Sequence, residues 1–150
     1  MKNDLAGKVA LVCGSTGGIG RTIAETFARS GADIVVHGRN PKAGEEAART
    51  IEGYGRRALF LKADLSDFGK VREMVEEVLG TWGRIDILVA NGAAEYTPPK
   101  FFHETEPELF AEYMKMLMFT RLYAVKAVLE HMRERKQGKI ILLTSDGGRI

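Results

Sequence analysis

The sequence predicts an α/β domain, a doubly wound parallel sheet with helices on both faces. Three observations predict it. Short apolar runs alternate with helical patterns along the whole chain. The runs are apolar throughout, as strands covered on both faces must be. A glycine-rich turn separates the first run from the first helical pattern.

Each element has its own signal. Val9, Ala10, Leu11, Val12 and Cys13 form the first apolar run. After the turn, Ile19, Ile23, Ala24, Phe27 and Ala28 mark one helical face, closed by Ser30 and Gly31. Residues 34–37 predict a second strand. Residues 41 to about 51 predict a helix, with Ala43, Ala47, Ala48 and Ile51 on one face and Pro41 suited to a first turn. Residues 58–61 predict a third strand. Ser66 is expected to cap the next helix, whose apolar positions are Val71, Met74, Val75, Val78 and Leu79. Residues 85–90 predict a fourth strand, and Thr97-Pro98-Pro99 a loop. Thr105, Glu106, Pro107 and Glu108 read as a capping box with proline just inside the start. A long helix, broken at most once, is expected to run to about Arg135 and stop at Gly138. Residues 140–144 predict a fifth strand.

Composition bounds the function. The 150 residues suit one domain, with 45% hydrophobic and 28% charged residues. The formal net charge of +2, from 22 basic and 20 acidic residues, points away from a nucleic-acid surface or a membrane patch. The single cysteine, Cys13, excludes an internal disulfide and is expected to be buried. His37, His103 and His131 lack metal-ligand spacing, so no metal site is expected. The first apolar run is too short for a signal peptide or a membrane span, and the cytoplasm is the expected compartment. No repeat, linker or low-complexity stretch divides the chain.

The turn reads Gly14, Ser15, Thr16, Gly17, Gly18, Ile19, Gly20. A strand, a glycine turn and a helix in that order make a phosphate site: backbone N–H groups approach a pyrophosphate and the helix N-terminus adds partial positive charge. The spacing Gly-x-x-x-Gly-x-Gly, ending in Gly-Ile-Gly, resembles the short-chain dehydrogenase/reductase family, with Cys13 where that family usually has Thr. Residues 82–89 resemble the family's run into the fourth strand. Asn91-Gly92-Ala93 departs from its usual Asn-Ala-Gly by exchanging the last two residues. The resemblance implies a Rossmann-type fold. It also implies that Asp64 and Leu65 lie near the adenine and that Asn91 and Gly92 approach the cofactor.

The residue ending the second strand of such a fold meets the adenosine ribose; an acid there favours NAD, and a nearby arginine accommodates the 2′-phosphate of NADP. This chain has His37-Gly38-Arg39-Asn40, with Asp33 at the opposite end of the strand. Arg39, followed by Asn40, offers a planar donor fork suited to phosphate. NADP(H) is therefore favoured, with NAD(H) the alternative.

The family reduces a carbonyl or oxidises a secondary alcohol, using a Tyr, a Lys one turn later, a Ser and an Asn. Leu143-Thr144-Ser145 matches its run ending in the active Ser, which makes Ser145 the catalytic candidate and Thr144 the fallback hydroxyl. The Asn position falls at about Leu117. Tyr96 and Lys100 have the right spacing but are separated by Pro98 and Pro99, which forbid a shared helix face. Tyr123 and Lys126 have the wrong spacing. The Tyr and Lys are expected beyond Ile150, and the sequence is expected to be the cofactor-binding front of a longer protein, or to persist by association. The fifth strand is then expected to be an exposed edge. The greasy stretch from 114 to 119, broken by Lys115, fits either a deep core helix or a subunit interface, because the family often pairs this helix with its copy. Tyr96, Phe101 and Phe102 are candidates to line a small-molecule substrate pocket. A non-catalytic dinucleotide-binding protein is the alternative reading, and a purely structural subunit a third.

Overall fold

The computed structural model describes residues 4–92, 103 and 106–144. Five strands form one parallel sheet: β1 (Val9–Val12), β2 (Asp33–His37), β3 (Ala58–Leu61), β4 (Ile87–Ala90) and β5 (Lys139–Leu142). Their spatial order is β3-β2-β1-β4-β5. The register aligns Leu11 with Val35 on one side and Leu88 on the other. Among the described residues, four helices connect them: α1 (Gly18–Arg29), α2 (Pro41–Glu52), α3 (Phe68–Trp82) and α4 (Pro107–Glu134).

Strand alternation divides the interior into two cores. Val9, Leu11, Cys13, Val35 and Leu88 face α3 and α4, while Ala10, Val12, Ile34, Val36 and Val89 face α1 and α2. The predicted doubly wound sheet is thus the observed one. Because the chain reverses direction across the sheet between β1 and β4, a crevice opens at their carboxyl ends, where such folds hold ligands.

Several local expectations need correction. Asp67, not Ser66, caps α3: its side chain accepts from the Lys70 N–H. Ser66 is unavailable because the Asp64 carboxylate accepts from both its N–H and its hydroxyl. The long helix is unbroken over 28 residues. Its N-cap is Glu106, with Pro107 in the first turn and no side-chain cap bond; Thr105 lies outside the described residues. Gly138 does not stop it. The chain leaves the helix at Arg135 and Lys136, and Lys136 takes the left-handed conformation at φ 50°. Gly138 instead lies against the Met132 side chain.

The fifth strand is the exposed edge that the sequence predicts. Ile141 and Leu142 remain 42% and 45% accessible, whereas the strands from β1 through β2 and β4 are buried along their length. On α4 only the stripe Thr120, Ala124, Val128 and Met132 is buried. Met114, Met118 and Phe119 are exposed, so in this chain the greasy stretch is not a deep core segment. Among the described residues, no helix is long and apolar enough to cross a membrane.

Candidate nucleotide site

A cleft of about 380 Å³ lies at the carboxyl ends of β1, β2 and β4, with the segment after β3 closing one side. It brings together Gly14, Thr16, Gly17, Arg39, Asp64, Leu65, Asn91 and Gly92, all predicted site residues. It also takes in His37, Gly38, Ala63 and Thr120.

Close backbone approach builds the floor. Gly14 sits at φ 68°, a conformation that side chains resist, and a Cβ there would come within 2.9 Å of the Gly92 Cα. A Cβ on Gly20 would collide with the Gly14 carbonyl oxygen and approach the Asn91 Nδ2 to 2.7 Å. Gly20 therefore lets α1 press against the end of β1. The Asn91 amide donates to the carbonyls of Cys13 and Gly14, both at 3.3 Å, and so ties β4 to the turn. The exchanged order Asn91-Gly92 suits this packing, because a Cβ on Gly92 would overlap the Leu65 side chain. Ala93 lies outside the described residues.

The mouth of α1 is suited to an anion. Its N-cap is Gly17, which offers no side-chain oxygen, and no acid stands in the first turn. The helix's first amides are thus left for a ligand to satisfy. Gly18 takes φ 53° and Ile19 is 67% exposed; neither lines the cleft, nor does Gly20.

Ser15 has an internal task. It is fully buried, its hydroxyl donates to Val12 O at 2.7 Å, and its oxygen accepts from the His37 N–H at 3.1 Å. Its own N–H donates to His37 O at 2.9 Å. The turn is thereby fastened to β2. Asn40, also predicted here, lies outside the cleft lining and caps α2 by accepting from the Ala43 N–H at 3.3 Å.

The sequence places His37 at the end of the second strand and gives it no role in the site, yet it organises the cleft. Its Nδ1 accepts from the Gly14 N–H and its Nε2 bonds the Ala63 carbonyl, both at 3.1 Å. An amide donor on one side and a carbonyl acceptor on the other require the neutral ring with hydrogen on Nε2. Burial lowers its pKa from the ordinary 6.5, and the nearby positive charge of Arg39 adds to this. The signal was available: a polar residue ends an apolar strand beside the glycine turn. Thr120 was also missed; its buried hydroxyl donates to Met116 O. The four-residue spacing of Thr120, Ala124, Val128 and Met132 would have placed it on the inner face of the helix.

Arg39 is exposed, and among the described residues no carboxylate pairs with it. Asp64 is held ionised chiefly by the two hydrogen bonds from Ser66, with Arg39 contributing. Cys13 is fully buried, and desolvation pushes its thiol up to about 12, so it acts as a small apolar residue. Leu117, at the expected Asn position, has no polar side chain, and its carbonyl accepts from Arg121. Arg121 also donates to Leu143 O, anchoring the exit of β5 to α4. Tyr123 packs against Phe68 and Phe119. Ser145, Tyr96, Lys100, Phe101 and Phe102 lie outside the described residues. No metal-binding group of His, Cys, Asp or Glu occurs among the described residues.

The model of the short chain dehydrogenase family matches residues 8–150. The chain belongs to that family. A hydroxynaphthalene reductase from Aspergillus fumigatus is 33% identical over 142 residues, covering 94% of this chain and 50% of that protein. A short-chain type dehydrogenase/reductase from Mycobacterium marinum superposes with a TM-score of 0.90 at 30% identity, over 99% of this chain and 60% of that one. A 7α-hydroxysteroid dehydrogenase, solved with NADH and 7-oxo glycochenodeoxycholic acid, gives a TM-score of 0.87 at 28% identity, over 96% and 55%. The chain spans about half the length of the curated relatives that it matches. The short-chain dehydrogenase membership covers both the glycine turn and the run ending at Ser145.

Proposed function

We propose that residues 1–150 are a single cofactor-binding unit of an NADP(H)-dependent oxidoreductase that acts on a carbonyl or secondary alcohol. The observation that carries the reading is Arg39 at the cleft mouth, beside a glycine where an NAD-selecting acid would stand. The 7α-hydroxysteroid dehydrogenase structure contains NADH, so the choice of nucleotide rests on this chain's own residues. The fit is good at three places. Gly14 and Gly20 leave backbone room, the α1 amides await an anion, and Arg39 supplies a cation for a phosphate.

In this reading Gly14, Ser15, Thr16, Gly17, Gly18, Ile19 and Gly20 form the pyrophosphate turn. Arg39 and Asn40 flank the 2′-phosphate. Asp64 and Leu65 border the adenine, and Asn91 and Gly92 hold the nucleotide between the two halves of the sheet. A bound nicotinamide supplies hydride transfer. Ser145 polarises the substrate oxygen, and the proton donor comes from residues outside 1–150. The exposed α4 face, including Met114, Met118 and Phe119, pairs with a second copy in a homo-oligomer.

The reading is tested on the full natural polypeptide. NADPH titration followed by nucleotide fluorescence is expected to saturate, and NADPH absorbance is expected to fall with some member of a ketone and quinone panel. Absence of binding at millimolar NADPH sinks the reading. Ser145→Ala is expected to slow turnover by about a hundredfold or more while leaving NADPH binding intact. Binding without turnover on any substrate would favour a non-catalytic nucleotide-binding protein, a reading supported by Leu117 at the Asn position.

A further inference from the structure

Gly38 has no conformational reason to be glycine. Its φ lies outside the left-handed range, so its backbone is open to any residue. What stands in the way of a side chain is Thr16. A Cβ on Gly38 would lie 2.8 Å from the Thr16 Oγ1, 3.1 Å from its Cβ and closer still to its Cγ2. Rotating Thr16 about χ1 can move the oxygen and the methyl but leaves its Cβ at 3.1 Å, so a side chain at 38 also needs the backbone to give by a few tenths of an ångström. The turn cannot easily withdraw. The adjacent Ser15 is fastened to His37 by two hydrogen bonds and to Val12 by a third, all from a fully buried residue.

Gly38 is also the position that matters for the ribose. It directly follows β2, twenty residues beyond Gly18, which is about where a dinucleotide fold places its ribose-binding acid. Thr16 and Gly38 both line the cleft, next to Arg39.

We propose that Thr16 and Gly38 form a steric interlock: Thr16 fills the space that a ribose-binding acidic side chain at position 38 would need, so that changing residue 38 alone cannot turn this cleft into an NAD site. The proposal rests on the reading of this cleft as a dinucleotide site. Arg39 supplies the attraction for the 2′-phosphate, and Thr16 decides whether a carboxylate introduced beside it can be accommodated. An acid at position 38 alone does not convert the site, because it can enter only by displacing the glycine turn that holds the pyrophosphate. Conversion requires removal of the Thr16 side chain as well.

The test is a double-mutant cycle on the full natural polypeptide: wild type, Gly38→Asp, Thr16→Gly and the double variant, each titrated with NADPH and NADH. Gly38→Asp is expected to lose NADPH affinity without a matching gain in NADH affinity. The double variant is expected to bind NADH about tenfold more tightly than the product of the single effects predicts. If the two substitutions combine without coupling while the wild type still prefers NADPH, the interlock is wrong and the cofactor reading survives. A wild type that binds NADH as well as NADPH, or neither, overturns the cofactor reading and the proposal with it. Should Gly38→Asp not fold, the uncharged cycle with Gly38→Ala reads the same contact through melting temperature. Alanine at 38 is expected to lower it and Thr16→Gly to restore it; additive melting shifts overturn the proposal.

Discussion

The two ends of the sheet are built on opposite principles. At the amino ends of the strands, charge is matched. Asp33 accepts from Arg56 and twice from Arg57, and Asp86 accepts from Val9 N, Arg84 and Arg135. Burial alone would raise both carboxyl pKa values, but these partners hold them below the usual range. At the carboxyl ends, the groups face a cleft: Gly14, Gly38, Arg39, Asp64 and Asn91. The same parallel strands thus carry a closed end that maintains the fold and an open end that is left to bind. Substitutions at the two ends should therefore separate stability from ligand affinity.

The largest expected effect breaks the closed end. Asp86→Ala strands two arginines and the Val9 amide around a position only 4% exposed. It is expected to cost about 3 kcal/mol in chemical denaturation, since it leaves the buried Val9 amide and two half-buried arginines without their acceptor. NADPH affinity of the protein that remains folded is expected to be unchanged. A loss below about 1 kcal/mol would place this cluster with ordinary surface ion pairs.

Arg39→Ala is the counterpart at the open end. Losing a charge-assisted contact of about 1.5–3 kcal/mol corresponds to a roughly 10- to 100-fold weaker NADPH complex. NADH affinity and melting temperature are expected to stay close to wild type, because Arg39 is exposed and supports no described element. Equal losses for both nucleotides would contradict its assignment to the 2′-phosphate.

The closed end and the open end were not equally legible in the sequence. The strands were, because a parallel sheet writes itself as unbroken apolar runs such as residues 34–36 and 87–90. The glycine turn was, because Gly14 and Gly20 are demanded by backbone approaches that leave no alternative residue. Competition between neighbouring side chains was not. Ser66 looked like a cap, and only geometry reveals that Asp64 has taken its hydroxyl. The separate tasks of His37 and Ser15 were not legible for a related reason. Composition marks them as polar, but which of them points into the cleft and which is spent inside depends on the three-way contact of β1, β2 and the turn.

Acidification sharpens the comparison, because each end holds one histidine kept neutral by the fold. His37 accepts from Gly14 at the open end, and His131 accepts from the Ile85 N–H at the closed end. Burial, then the charge of Arg39 for His37 and of Arg135 for His131, lowers both pKa values from 6.5. The unfolded chain therefore binds protons that the fold refuses. The stability contributed by these rings is complete above about pH 6.5 and is lost as pH falls from there toward the lower folded values. Melting temperature measured against pH should show that decline, and His37→Ala and His131→Ala should each remove part of it. At pH 7.5 only the His37 variant should weaken NADPH binding. Equal effects of the two on the nucleotide would erase the distinction between the ends.

Asn40 offers the finest test, since it stands at the open end yet performs a closed-end task. Its side chain caps α2 at 3.3 Å from the Ala43 amide, and it is exposed beside Arg39. Asn40→Ala removes the cap and is expected to cost about 0.5–1 kcal/mol. Asn40→Asp retains a capping oxygen and adds a negative charge that favours the helix N-terminus, so stability should be held or slightly raised. That same charge would stand next to the cation assigned to the 2′-phosphate. If Asn40 borders the phosphate, the Asp variant binds NADPH several-fold more weakly while NADH is little affected, and the Ala variant shows the reverse pattern of a stability loss with affinity nearly intact. If both variants leave the NADPH to NADH ratio unchanged, Asn40 is a helix cap alone, and the phosphate contact narrows to Arg39 and the turn.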